Sequence, residues 1–121
     1  MNVVGDVAGR TAIMVDDLTS TAKTLCEAAK KLKEHDAGDI YAVVSHAMIG
    51  NEGLERLANS PIRELIVTNS IPLKDTGKFP ITVLSIAELL GEAIARINNN
   101  ESVTSLFREL PRREKKKCRK I

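Results

Sequence analysis

At 121 residues, 43% hydrophobic and 28% charged with a net charge of +2, the chain is the size of one domain with a core of its own. Its few aromatics, Tyr41, Phe79 and Phe107, disfavour a nucleic-acid platform that stacks bases on rings. Cys26 and Cys118 supply neither a disulfide framework nor metal-ligand spacing, and no apolar stretch is long enough to span a membrane.

Thr11 to Val15 is an apolar run that reads as a buried strand and stops at two acids, Asp16 and Asp17. A hydroxyl-rich loop follows. Leu25, Ala28, Ala29 and Leu32 then recur at helical spacing, with Ser20 or Thr21 as cap and Glu27 to Lys31 as an outer i,i+4 pair. His35 to Gly38 ends this helix, with His35 placed to interact with the helix dipole. Ile40 to Val44 is the next strand. Gly50 to Gly53 reads as a loop, and Leu54 and Leu57 as a short helix. Glu64 to Thr68 is a third strand, Asn69 to Pro80 a loop and Ile81 to Leu84 a fourth strand. Ser85 and Glu88 form a capping-box pattern before a regular apolar stripe: Ile86, Leu89, Leu90, Ala93, Ile94 and Ile97. Asn98 to Asn100 stops it, since asparagine tolerates the left-handed conformation at a helix end.

Strands alternating with helices, and a core restricted to Leu, Ile, Val and Ala, predict an α/β fold with a parallel sheet flanked by helices. Residues 1–110 are expected to form this domain. From Arg112 to Lys120, seven basic residues face one acid, so residues 111–121 read as a basic, disordered, solubilising tail on an otherwise acidic body. Binding of nucleic acid through this tail is the less favoured reading. The amino terminus shows no secretory pattern, and the cysteine usage suits a reducing, cytoplasmic compartment.

Asp16 and Asp17 carry the most chemistry. A strand that ends at an acidic pair and turns through hydroxyls into a helix suits a phosphorylated sugar. The carboxylates accept hydrogen bonds from ribose hydroxyls, and the loop amides and positive helix end favour a phosphate. In open α/β sheets such sites lie beyond the carboxyl ends of the strands. The segment is not a nucleoside-triphosphatase phosphate loop, because Lys23-Thr24 lacks the preceding glycines. His46, at the end of the second strand, reads as a hydrogen-bonded loop residue, with ligand contact as the alternative. No nucleophile is convincingly partnered and no metal site is expected.

The blocks Val3-Val-Gly-Asp-Val7, Ile13-Met-Val-Asp-Asp-Leu18, Ile40-Tyr-Ala-Val-Val-Ser-His46, Val67-Thr-Asn-Ser-Ile-Pro72 and Asn100-Glu-Ser-Val-Thr-Ser-Leu-Phe107 carry a resemblance. In this order, together with the helix from Ser85 to Ile94, they resemble the C-terminal half of ribose-phosphate pyrophosphokinase, also called phosphoribosyl pyrophosphate synthetase. The resemblance implies a phosphoribosyltransferase-like α/β domain, in a family that transfers pyrophosphate from ATP to ribose 5-phosphate with magnesium in nucleotide biosynthesis. It implies ribose contacts from Asp16 and Asp17, and a 5-phosphate loop of Ser20, Thr21, Ala22, Lys23 and Thr24. It also implies regulatory phosphate or nucleotide binding at Ser102, Thr104 and Phe107, with Thr104 where the family usually has serine.

Two loop positions depart from the family pattern D-T-x-G-T. Ser20 replaces the aspartate and Lys23 the glycine. Lysine does not offer the glycine's close approach or positive φ, but its ammonium can pair with phosphate. The family's ATP-binding and magnesium-binding half has no counterpart here, so the chain is expected to be inactive alone and to hold no cofactor. The partners implied are ribose 5-phosphate and synthetase subunits in a homo- or hetero-oligomer. The alternative is a noncatalytic, synthetase-associated regulatory subunit.

Overall fold

Apolar β-branched runs separated by amphipathic helical ones give β1 (Ala12–Thr19), α1 (Lys23–Glu34), β2 (Ile40–Ala47), α2 (Asn51–Ala58), β3 (Ile62–Thr68), β4 (Ile81–Leu84) and α3 (Ala87–Asn98). A 3-10 turn, Thr104–Phe107, follows. The computed structural model describes residues 3–73 and 77–107; the predicted tail, 111–121, lies outside them. The chain divides into two compact units between Ile86 and Ala87.

The first unit is a four-stranded sheet in the order β1-β2-β3-β4, with every neighbouring pair parallel. The α/β class read from the sequence is therefore correct. A parallel pair needs a crossover, and crossovers are overwhelmingly right-handed. Two successive right-handed crossovers that advance across the sheet in one direction put both helices on one face. Burial agrees. Ile40, Ala42, Val44, Leu65 and Val67 are closed off beneath α1 and α2, with Leu25, Cys26, Ala29 and Leu57 from the helices in the same cluster. On the alternate positions Ile13 and Val15 remain 65% and 77% exposed.

Several boundaries differ from those read in the sequence. β1 runs four residues past Val15 to Thr19, and β2 runs to Ala47, because the ladder continues through Leu18↔His46 and Thr19↔Ala47. The acidic pair thus sits inside the last turn of pleat rather than after it. α1 begins at Lys23, not Leu25, and its N-cap is Ala22 in the left-handed conformation with no side-chain cap; neither Ser20 nor Thr21 plays that part. The expected Gly50–Gly53 loop is helical from Asn51. Glu27 does not pair with Lys31: Lys31 meets Glu34 at 2.5 Å, and Glu27 lies 3.9 Å from Lys23.

The end of α1 is closed as its polar residues suggest. Asp36 takes a positive φ of 60°, and the Ala37 amide returns to the Leu32 carbonyl at 3.0 Å. His35 Nδ1 donates to the Lys31 carbonyl at 2.8 Å. Lys33 Nζ donates to the carbonyls of Ala37 (2.9 Å) and Gly38 (2.5 Å), in the turn just beyond the helix.

In the second unit, Leu89, Leu90, Ile94 and Ile97 of α3 are all more than half exposed. Asn100 ends the helix with φ 57°, as its type predicts. Arg96 organises the segment beyond. It donates to Glu92 at 2.6 Å, to the Ser102 carbonyl at 3.2 Å and to the Ser105 hydroxyl.

The centre of the first unit sets its stability. Leu65 has no exposed surface and stands between Ala42 and Ile81 in the ladder. Leu65→Ala should cost about 2–5 kcal/mol, from lost burial plus the cavity left behind. Urea unfolding followed by circular dichroism measures it; a loss below about 1 kcal/mol would place the core elsewhere.

Candidate functional site

Three neighbouring strands end on the same edge, and two of them lapse from alternation at the same level. In β1 the order runs half-buried Asp16, exposed Asp17, exposed Leu18, buried Thr19. In β2 it runs buried Val44, exposed Ser45, exposed His46, buried Ala47. Two consecutive side chains on each strand therefore face solvent where strict pleating would turn one inward. The lapse falls on Leu18 and His46, which pair in the ladder and would otherwise point inward, while Asp17 is exposed by the same alternation as Ile13 and Val15. Asp16 Oδ1 accepts the backbone N–H of Asp17 at 2.9 Å, which holds one carboxylate against its own chain.

The loop that follows is short and fixed. Ala22 is buried at 1% exposure with φ 54° and ψ 11°. A left-handed L-residue costs about 1–2 kcal/mol, so surrounding contacts must hold it there. α2 provides them. Arg56 donates to the Thr21 carbonyl at 2.5 Å, and its other guanidinium nitrogen meets Glu52 at 2.5 Å. Gly53 sits under the loop, where an added Cβ would stand 2.7 Å from Ile49 Cγ2 and 3.2 Å from the Ser20 carbonyl oxygen. Glycine inside this helix is required by close approach rather than by a positive φ.

The first helical hydrogen bond of α1 runs from Cys26 N–H to the Ala22 carbonyl at 3.0 Å. The amides of Lys23, Thr24 and Leu25 precede it, and no side chain caps them. They are the anion-seeking end of α1, reached directly from the acidic pair through the exposed Ser20 and Thr21.

Lys23 is not strained. It is the first residue of α1, and the left-handed position falls one residue earlier, on Ala22. The positive φ expected to be lost with the family's glycine is therefore not needed at position 23. The Lys23 ammonium lies toward Glu27 and lines a shallow groove of about 290 Å³ between α1 and α2, with Lys30, Arg56 and Cys26. Burial raises the Cys26 thiol above its ordinary range.

Asp16, Asp17 and Ser20 to Thr24 are thus brought together in the first unit. The other predicted group stands in the second unit. Ser102 Oγ accepts the Thr104 N–H at 3.2 Å, and Phe107 is 85% exposed. Among the described residues no group of three or more His, Cys, Asp or Glu could hold a metal ion.

Gly53, Arg56 and a hydroxyl cluster at Thr68 and Ser70 are site residues that the sequence reading did not single out. A glycine directly before the Leu54/Leu57 helical spacing was the available signal, since a glycine in a helix costs about 1 kcal/mol unless something needs it.

Residues 1–108 match the family described as the phosphoribosyl synthetase-associated domain. The chain is 47% identical over 110 residues to a ribose-phosphate pyrophosphokinase of Synechococcus elongatus, covering 89% of this chain and 33% of that protein. The Bordetella parapertussis protein of the same name is 49% identical over 109 residues, covering 88% and 35%. Among solved structures, phosphoribosylpyrophosphate synthetase from Mycobacterium smegmatis matches with a TM-score of 0.75 at 39% identity, over 80% of this chain and 33% of that one. The chain spans about a third of the length of the relatives it matches.

The loop clamp can be tested apart from any ligand. Gly53→Ala sets a methyl group 3.2 Å from the Ser20 carbonyl oxygen, so loop and helix must separate by a few tenths of an ångström, and Arg56→Ala removes the donor to Thr21. Both should destabilise the fold by about 1–3 kcal/mol and speed amide exchange from Ser20 to Leu25 more than elsewhere. Uniform exchange changes across the sheet would show that the clamp is not local to the loop.

Proposed function

The chain belongs to the phosphoribosyl synthetase-associated domain family, and from that membership we propose that it is the ribose 5-phosphate-binding part of a ribose-phosphate pyrophosphokinase. One observation carries the proposal: the uncapped N-terminus of α1 is reached through a clamped hydroxyl loop directly from the acidic pair. In this reading Asp16 and Asp17 accept hydrogen bonds from ribose hydroxyls. Ser20, Thr21, Ala22, Lys23 and Thr24 surround the 5-phosphate with amides, hydroxyls and one ammonium. Ser102, Thr104 and Phe107 belong to a regulatory phosphate or nucleotide site completed by other polypeptide.

Transfer of pyrophosphate from ATP requires a triphosphate held in line with the sugar hydroxyl, with its charge neutralised by magnesium. In this reading ATP and magnesium are held by parts of a synthetase outside these residues, and the reaction runs in the cytoplasm. Association with synthetase subunits is part of the same reading. The bare apolar face at Ile13 and Val15, and separately the exposed stripe of α3, support it, since parallel sheets are ordinarily covered on both faces.

Ser20 favours a second reading, a noncatalytic regulatory subunit, because it lacks the carboxylate that the family pattern has at this position.

Calorimetric titration separates the two readings. Ribose 5-phosphate should bind more tightly than inorganic phosphate, and Asp16→Ala should weaken the sugar phosphate by at least about tenfold while leaving inorganic phosphate unchanged. Absence of binding by folded protein would favour the regulatory subunit.

The 121-residue chain with ATP, magnesium and ribose 5-phosphate should form no phosphoribosyl pyrophosphate. Measurable turnover in a coupled assay would refute the assignment of the ATP half elsewhere.

A further inference from the structure

The hydroxyl cluster at the ends of β2 and β3 is more elaborate than an exposed strand end requires. The Ser45 carbonyl accepts both the Thr68 hydroxyl, at 2.6 Å, and the Ser70 hydroxyl, at 2.9 Å. The Ser70 amide donates to Thr68 Oγ1 at 3.2 Å, and the two hydroxyl oxygens lie 2.9 Å apart. At the outer end of this cluster, His46 Nδ1 lies 2.8 Å from Ser70 Oγ.

One proton arrangement satisfies the whole cluster. A carbonyl oxygen has two lone pairs and accepts both hydroxyl protons. In that arrangement Ser70 Oγ accepts from Nδ1, which carries the hydrogen. In that tautomer Nε2 is left with a lone pair, on an exposed side chain held by Ser70.

The register places the backbone that carries this ring. His46 pairs with Leu18, next to Asp17 on one side and Thr19 on the other. Paired residues of adjacent strands lie about 5 Å apart, so His46 flanks both the acidic pair and the start of the phosphate loop. The Thr19 carbonyl accepts the Met48 N–H at 2.8 Å, which ties the two strand ends together just past the histidine.

We propose that His46, oriented by Ser70, Thr68 and the Ser45 carbonyl, is a third sugar-contacting residue whose Nε2 accepts a hydrogen bond from a hydroxyl of the phosphorylated pentose. The proposal rests on the sugar-phosphate reading above and extends its site from β1 to β2. Asp16 and Asp17 offer acceptors from β1, and His46 adds one from β2. Ser70 is a positioning residue: it touches the imidazole, not the sugar.

Two conservative variants divide the ring between its nitrogens. The side-chain nitrogen of His46→Asn replaces Nδ1 and keeps the bond to Ser70, but nothing replaces Nε2. His46→Gln places an amide near Nε2 instead. The asparagine variant should bind ribose 5-phosphate about three- to tenfold more weakly, with inorganic phosphate unchanged. The glutamine variant should recover part of the loss. In unaltered protein, imidazole nitrogen NMR should show the hydrogen on Nδ1, and the Nε2 resonance should move with ribose 5-phosphate but not with inorganic phosphate. That second readout stands even if a variant fails to fold. Sugar binding with an unmoved Nε2 and an unaffected asparagine variant would overturn the role of His46 alone and leave it a pin between β2 and β3. No sugar binding by unaltered protein would overturn this proposal together with the reading on which it rests.

Discussion

The approach of α2 to the loop after β1 is the contact on which the site depends. The loop must turn from an extended strand into a helix within three residues, and it does so by placing an alanine in the left-handed region. That conformation is intrinsically unfavourable, so it persists only where neighbours over-determine it. Gly53 lets the helix axis come close enough, and Arg56 then reaches the Thr21 carbonyl while Glu52 holds its other side. The same residue therefore links packing to electrostatics: its backbone helps to bury Cys26, whose thiol lies 3.7 Å from the Arg56 carbonyl, and its side chain shapes the anion-facing loop.

The parallel ladder imposes a second constraint. Parallel strands end together, so the carboxyl edge gathers chemistry from residues far apart in sequence. The matched lapse in β1 and β2 turns two residues of each strand outward at one level. Polar side chains there need not compete with the core, and the hydroxyls of Thr68 and Ser70 satisfy themselves on one carbonyl of the next strand. An edge built this way is rigid without being buried, which is what repeated binding of a small polar ligand requires.

Much of this was legible in the sequence. The order of strands and helices and the parallel sheet follow from apolar periodicity and from residue type, as does the placing of an acidic pair just before α1. The ends of β1 and β2 did not, because Asp16, Asp17, Ser45 and His46 oppose strand propensity, and only the inter-strand ladder overrides it. The helix from Asn51 was hidden by Gly50 and Gly53, whose usual meaning is a loop; here Gly53 answers a contact that is remote in sequence. The Glu27–Lys31 pair failed for a simpler reason. Lys23 and Glu34 offered each partner another ion at comparable spacing, and exposed pairs differ by too little energy for sequence to choose among them.

The loop substitutions then take on a different meaning. Read as a motif, Lys23 looks like the loss of a glycine that the backbone needs. In the folded chain position 23 is helical and exposed, so nothing steric opposes a lysine there. What remains is charge. Relative to the family pattern, Ser20 removes a carboxylate and Lys23 adds an ammonium, and both changes make the mouth of α1 more positive. A phosphate dianion at a helix N-terminus is favoured by that shift. The Lys23–Glu27 contact, at 3.9 Å between exposed groups, is too weak to hold the ammonium away from a bound anion. The divergence in this loop thus changes the charge at the mouth of α1 while leaving intact the backbone that α2 holds in place.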